Sequence, residues 1–149
     1  MIQINRSTDY ALRALTYLAG QHDGPCMVSE IALNQGVPPK FLARILQILQ
    51  KSGLVHSHRG IKGGFSLAKP GEQITVLQVL EAVEGPLSVS LCLTEPEICA
   101  QAERCPSLQI WARAQAAFLR VLAGTTVAEL ATQQQELDAS KQLLTLVSR

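Results

Sequence analysis

Residues 38–67 read PPKFLARILQILQKSGLVHSHRGIKGGFSL, and this stretch decides the fold. Pro38-Pro39 suits a helix start, because proline at the first helical position gives up no N–H that the helix needs. Phe41, Leu42, Ile45, Leu46 and Leu49 recur at three- and four-residue steps and so share one face. Lys40, Ala43, Arg44, Gln47 and Lys51 fall on the other side. Gly53 stops the helix in the C′ position. Upstream, Ser29 is placed to cap a shorter helix through Asn34, and Gly36 ends it. Two helices around a tight glycine turn predict a helix-turn-helix, in which the N-terminal residues of the second helix meet base edges.

The second half of the stretch predicts a β-wing. Leu54–Ser57 and Phe65–Leu67 can pair as strands, with His58 to Gly64 between them. The glycines of this turn, Gly60 among them, supply positive φ and let backbone approach a partner closely. Arg59 and Lys62 at the tip are poised for phosphate or a narrow minor groove. Charge supports DNA as the partner over a merely solvated hairpin. No acidic residue occurs between Glu30 and Glu72, yet Lys40, Arg44, Lys51, Arg59, Lys62 and Lys69 all lie there.

Working outward, Ser7 or Thr8 can cap a first helix running to about Gly20, with a broad apolar face from Tyr10 to Ala19. Gln21 to Pro25 is a polar loop with the turn signal Asp23-Gly24-Pro25. Cys26 follows and reads as a small apolar side chain at the edge of the core. Beyond the wing, Thr75 and Gln78 form a capping box ahead of a short helix ending at Gly85. Leu87 to Leu93 alternate with polar residues and predict a brief extended piece. Ser107 can cap a longer helix to about Ala123, with a stripe of Leu108, Trp111, Ala114, Gln115, Phe118, Leu119 and Leu122. Thr126 and Glu129 form a second capping box, ahead of a short helix over 127–134. No structure is assigned to the last fifteen residues. The fold class is thus mainly α with a small β-wing. A winged helix-turn-helix domain spans 1–84, an irregular cysteine-bearing loop 85–106, and a long helix with its short follower 107–134; a tail spans 135–149. The long helix is left over once the core is closed, which makes it a dimer contact, as for helix-turn-helix proteins on paired half-sites.

The 149 residues are 47% hydrophobic, enough for a core. The net charge of +1 hides an asymmetry: residues 1–72 carry eight Lys/Arg against four Asp/Glu (+4), and residues 73–149 five against eight (−3). No run approaches the roughly 18 apolar residues of a membrane span, and the start lacks an apolar secretory core, so a cytoplasmic protein without a membrane partner is expected. Its cysteines are then thiols or metal ligands rather than structural disulfides. Cys92, Cys99 and Cys105 follow a C-x6-C-x5-C spacing. That spacing is unlike the C-x2-C pairs of common zinc sites. Soft thiolates suit iron–sulfur clusters, zinc and copper(I), and Arg104 beside Cys105 also allows a thiol–disulfide sensor. No enzyme is expected: His22, His56 and His58 form no catalytic set, and no phosphate-binding glycine pattern stands between a strand and a helix. A small iron–sulfur electron carrier would use the same cysteines but would not need the acid-free basic stretch.

The chain resembles the IscR/NsrR type of winged-helix regulators, the Rrf-two family, over about residues 1–135. The resemblance rests on STDYALRALTYLA (7–19), GVPPKFLARIL (36–46), GLVHSHRGIKGGFSL (53–67) and the three cysteines before a long helix. It implies a homodimer with crossing long helices, bound to double-stranded operator DNA. It also implies an iron–sulfur cluster on Cys92, Cys99 and Cys105 that controls operator affinity. In 2Fe–2S members a histidine three residues after the last cysteine completes the set; here that position is Leu108. In nitric-oxide-sensing members an aspartate of the first helix, from the other subunit, completes a 4Fe–4S cluster, and Asp9 stands at that position. The resemblance therefore favours 4Fe–4S with Asp9 as fourth ligand. The first cysteine gap is one residue longer than the family spacing. Lys40, Ala43 and Arg44 fall where the family's base-reading residues sit, and Arg59 matches its minor-groove wing arginine. A zinc- or thiol-based regulator without iron remains the alternative.

Overall fold

The computed structural model describes residues 4–21 and 24–147. His22, which the sequence assigns to no catalytic set, and Asp23 of the turn signal lie outside them. Helix α1 (Arg6–Ala19) starts from Asn5, whose side chain accepts from the Thr8 backbone N–H. The cap is therefore Asn5 and not Ser7 or Thr8. Ala11, Ala14, Leu15 and Leu18 are buried, and so is Thr8. The Thr8 hydroxyl donates to Glu84 Oε1, which also accepts from the Asn5 backbone N–H at 3.2 Å. A group whose burial would otherwise cost about 1–3 kcal/mol thus finds its partner 76 residues away.

Helices α2 (Val28–Gln35) and α3 (Pro39–Lys51) form the helix-turn-helix. Helix α2 begins one residue before Ser29 and has no side-chain cap. At the end of α3, Gly53 adopts φ 70°, its N–H donating to Gln50 O and that of Leu54 to Leu49 O. This pair of bonds satisfies the last carbonyls of the helix. Leu42, Ile45, Leu46 and Leu49 are buried with Leu15, Leu18 and Ile31 of the other two helices. Each such side chain contributes about 1.5–3 kcal/mol. Phe41 departs from the predicted face and is 59% exposed. At 100° per residue it lies about a quarter turn from the centre of the buried arc.

Strands β1 (Val55–His58) and β2 (Gly64–Leu67) pair antiparallel, Val55 opposite Leu67 and His58 opposite Gly64. Cys26 bridges to Phe65 as a one-residue third strand, with mutual backbone bonds of 2.9 and 2.8 Å. It is buried, as its reading as a small core-edge side chain requires.

Helix α4 (Val76–Glu84) has both bonds of the Thr75–Gln78 capping box. The predicted extended piece at Leu87–Leu93 is absent: Ser90 caps a one-turn helix α5 (Leu91–Thr94). Alternation over so short a run finds no neighbouring strand to pair with. Helix α6 (Pro106–Gly124) starts at Pro106 without a side-chain cap, so Ser107 lies inside it. The Thr126–Glu129 box forms, with bonds of 2.7 and 3.2 Å. Helix α7 runs from Val127 to Val147, well past the predicted end at 134 and through most of the tail left unassigned. Its start returns to the winged domain. Thr126 bridges Thr75, the Val127 N–H donates to Ile74 O at 2.9 Å, and Val127 is fully buried.

Two outcomes test this packing. Gly64 has φ 150°, and an added Cβ would collide with the Cys26 carbonyl. Gly64→Ala should therefore destabilise the fold by more than about 1 kcal/mol, read as a lowered thermal midpoint. The Tyr17 hydroxyl donates to Glu30 at 2.9 Å. Burial and then that bond and carboxylate raise its pKa from 10.0 to about 12. Burial, followed by Glu30, raises the Cys26 thiol from 9.0 to about 11. Both groups are held neutral, so their stabilisation is full below the unfolded pKa and lost as pH rises through the folded one. Stability should fall between about pH 9 and 12, and Tyr17→Phe should flatten the upper part of that fall in unfolding titrations.

Candidate nucleic-acid interface and cysteine loop

The outer side of α3 and the wing carry the basic residues singled out in the sequence. Lys40 and Arg44 on α3, and Arg59, Gly60 and Lys62 at the wing tip, are all exposed. None of these cations forms an ion pair with any described carboxylate, whereas Arg13 does, with Asp9. Gln50 Nε2 donates to Ser57 Oγ at 3.2 Å and ties the end of α3 to β1 on the exposed side. His58 Nε2 and Ser66 Oγ, 2.8 Å apart, add a cross-strand link. The wing tip is a tight turn closed by the Gly63 N–H on Gly60 O at 3.0 Å. An added Cβ at Gly63 would meet the His58 and Gly60 carbonyls, so only glycine fits there. The turn thus presents Arg59 and Lys62 on preordered backbone.

Arg13 organises the other edge of the helix-turn-helix. Its guanidinium contacts Asp9 Oδ2 at 3.1 Å and donates to the Gln35 carbonyl at 3.2 Å, at the end of α2. A cation at a helix C-terminus is favoured by the dipole as well as by the bond. Asp9 is therefore engaged by Arg13, yet 51% of its side chain is exposed.

The three loop cysteines occupy separate turns. Cys92 lies in α5, Cys99 follows a 3-10 turn over Pro96–Ile98, and Cys105 immediately precedes α6. None of the three is in a disulfide, and all are half-buried. Among the described residues no three His, Cys, Asp or Glu side chains are gathered closely enough to hold a metal ion. An open hollow of about 350 Å³ in the loop includes Cys99 but neither of the other two. The donor set is chemically suited to iron or zinc, but this single chain does not assemble it. The loop's first residues are fastened to α6. Gln115 Oε1 accepts from Ser88 Oγ and from the Val89 N–H, both at 3.1 Å. Sequence reading placed Gln115 in the apolar stripe of α6; its amide is instead the loop's anchor. Nothing in the helical spacing distinguishes the two uses.

Helix α6 is exceptional in having no buried residue over 19 residues, with Ile110, Trp111 and Val121 exposed. Among the described residues no helix is long and apolar enough to cross a membrane.

The sequence profile of Rrf2, described as an iron-dependent transcriptional regulator, matches residues 4–133. The chain belongs to the Rrf2 family. It is therefore a DNA-binding transcription regulator and not an enzyme. It is 33% identical over 131 residues to a Mycobacterium tuberculosis H37Rv protein named as an HTH-type transcriptional regulator, covering 87% of this chain and 81% of that one. It is 34% identical to protein aau3 of Rhizobium meliloti, covering 87% and 84%. The fold matches CymR, the global cysteine regulator of B. subtilis, with a TM-score of 0.75 at 30% identity, covering 89% of this chain and 98% of that one. It also matches IscR of T. potens, with a TM-score of 0.71 at 26% identity, covering 91% and 90%. The winged helix-turn-helix architecture read from residues 38–67 is thus the architecture of this Rrf2 chain.

Arg59→Ala should weaken operator binding most where A·T-rich sequence narrows the minor groove under the wing. Titrations against operators differing only in their flanks check this; equal weakening on all flanks would assign Arg59 to plain phosphate contact.

Proposed function

We propose that the chain acts as a homodimeric cytoplasmic regulator whose operator affinity is set by an iron–sulfur cluster on Cys92, Cys99 and Cys105. The 4Fe–4S type is favoured, with Asp9 of the partner subunit as fourth ligand. One observation carries the reading. Three of the four cysteines fall on the loop between α4 and α6, half-buried and in no disulfide, while the fourth is locked in the core. Such a cluster, when bound, supplies a redox- and ligand-responsive centre. Helix α6 supports the dimer, since it fully buries no side chain and exposes Ile110, Trp111 and Val121, which leaves apolar surface for a second copy. Lys40 and Arg44 would then enter the major groove, with Arg44 on guanine, while Arg59, Gly60 and Lys62 follow the backbone and minor groove.

The chain offers a route between loop and reading head. Gln115 fastens Ser88 and Val89 to α6, and Glu84, just before the loop, holds Thr8 and Asn5 at the start of α1. A change of loop conformation would thereby reach α1, against which α3 packs. Coupling of about 1–3 kcal/mol would change operator affinity about 5- to 150-fold.

The test is operator binding by cluster-loaded and cluster-free protein at one salt concentration; equal affinities sink cluster control. Asp9→Ala should shorten the cluster's lifetime in air while leaving DNA binding intact, followed by visible absorption, and an unchanged lifetime clears Asp9. The likeness to CymR, a cysteine regulator, favours a second reading in which the thiols respond without metal. Iron and zinc analysis of protein purified without air separates the two.

A further inference from the structure

The reading helix carries an apolar group that its basic residues do not explain. Phe41 is 59% exposed, between Lys40 and Arg44. Phe41, Arg44 and Ile48 stand at i, i+3 and i+7, so they share one side of α3. Ile48 is itself 37% exposed. The core does not need Phe41, because Leu42, Ile45, Leu46 and Leu49 already fill the buried arc. Position adds to exposure, since Phe41 sits in the first turn of α3, the part of a reading helix that meets base edges. No ion pair or described carboxylate of residues 31–71 competes for this surface.

The major groove presents one apolar group, the C5-methyl of thymine, and it is read by apolar contact. We infer that Phe41 packs on a thymine methyl in each half-site and so determines a thymine beside the base that Arg44 reads. The aromatic ring loses water on contact, the methyl does likewise, and no buried polar group is left unpaired. A cytosine, or a thymine stripped of its methyl, offers the ring nothing equivalent. This inference rests on α3 as the reading helix of a DNA-binding regulator and is independent of any cluster.

The experiment starts from duplexes selected from a random pool by the full-length wild-type protein. Each thymine of a selected operator is then replaced by uracil, which removes only the methyl. We expect one position per half-site at which uracil raises the Kd about fourfold, the value of one buried methyl-sized group. Phe41→Ala should bind the thymine operator about that much more weakly and be indifferent to uracil at that position. Phe41→Leu should restore part of the discrimination. Uracil scanning of the wild-type protein needs no variant, so a folding defect in Phe41→Ala leaves the inference exposed to refutation. Wild-type affinity unchanged by uracil at every position overturns it, as does an equal uracil penalty in wild type and Phe41→Ala. Failure to select any sequence overturns the reading-helix assignment of α3 as well.

Discussion

The structure depends on the burial of one side of α3. Leu42, Ile45, Leu46 and Leu49 enter a common cluster with Leu15 and Leu18 of α1 and Ile31 of α2. That burial fixes the rotation of α3 about its own axis, because a helix advances 100° per residue and has only one apolar arc to hide. Once the arc is fixed, Lys40, Arg44 and Lys51 have no direction left but outward. The same contact fixes the wing. Leu54 and Val55, the first residues after the helix stop, are buried at 4% and 1% exposure, which seats β1 against α3. A basic outer surface is thus the far side of a hydrophobic contact.

The chain also returns to its starting domain after leaving it. Helix α6 extends for about 28 Å at 1.5 Å per residue without fully burying a side chain. The backbone bonds of Val76 to Thr125 and Val127 to Ile74 then stitch the start of α7 to the entrance of α4. Both capping boxes, Thr75–Gln78 and Thr126–Glu129, lie at this junction and start two helices from one bridge. The entrance to the cysteine loop is therefore held twice, Glu84 binding the start of α1 and Gln115 of α6 binding Ser88 and Val89.

Legibility followed the reach of each signal. The capping boxes of α4 and α7 were readable because their donors and acceptors lie three residues apart. The stop at Gly53 was readable for the same reason. The first cap lies two or three residues before the expected one where several short polar side chains stand close together, as at Asn5, Ser7 and Thr8. The alternation at 87–93 misled because a strand needs a neighbour that the local pattern does not report. The continuation of α7 past 134 carries no local signal, because residues 135–142, QELDASKQ, hold too few apolar positions to set a hydrophobic period. Among the site residues, the exposed placement of Lys40, Arg44, Arg59 and Lys62 followed from periodicity and turn chemistry. The exposure of Phe41 did not, since an aromatic at the margin of an apolar arc belongs equally to either side.

The amino-acid order alone determined the helix-turn-helix, the wing, the basic character of their outer surface and the clustering of three sulfurs, because periodicity, caps and glycine turns act within a few residues. Tertiary structure alone decided that Glu84 meets Thr8, that Gln115 anchors the loop, that Val127 completes the core and that α6 completes none. Those are contacts between residues up to 79 positions apart. Such pairs have no local spacing to announce them, and only the packing of the whole chain brings them together.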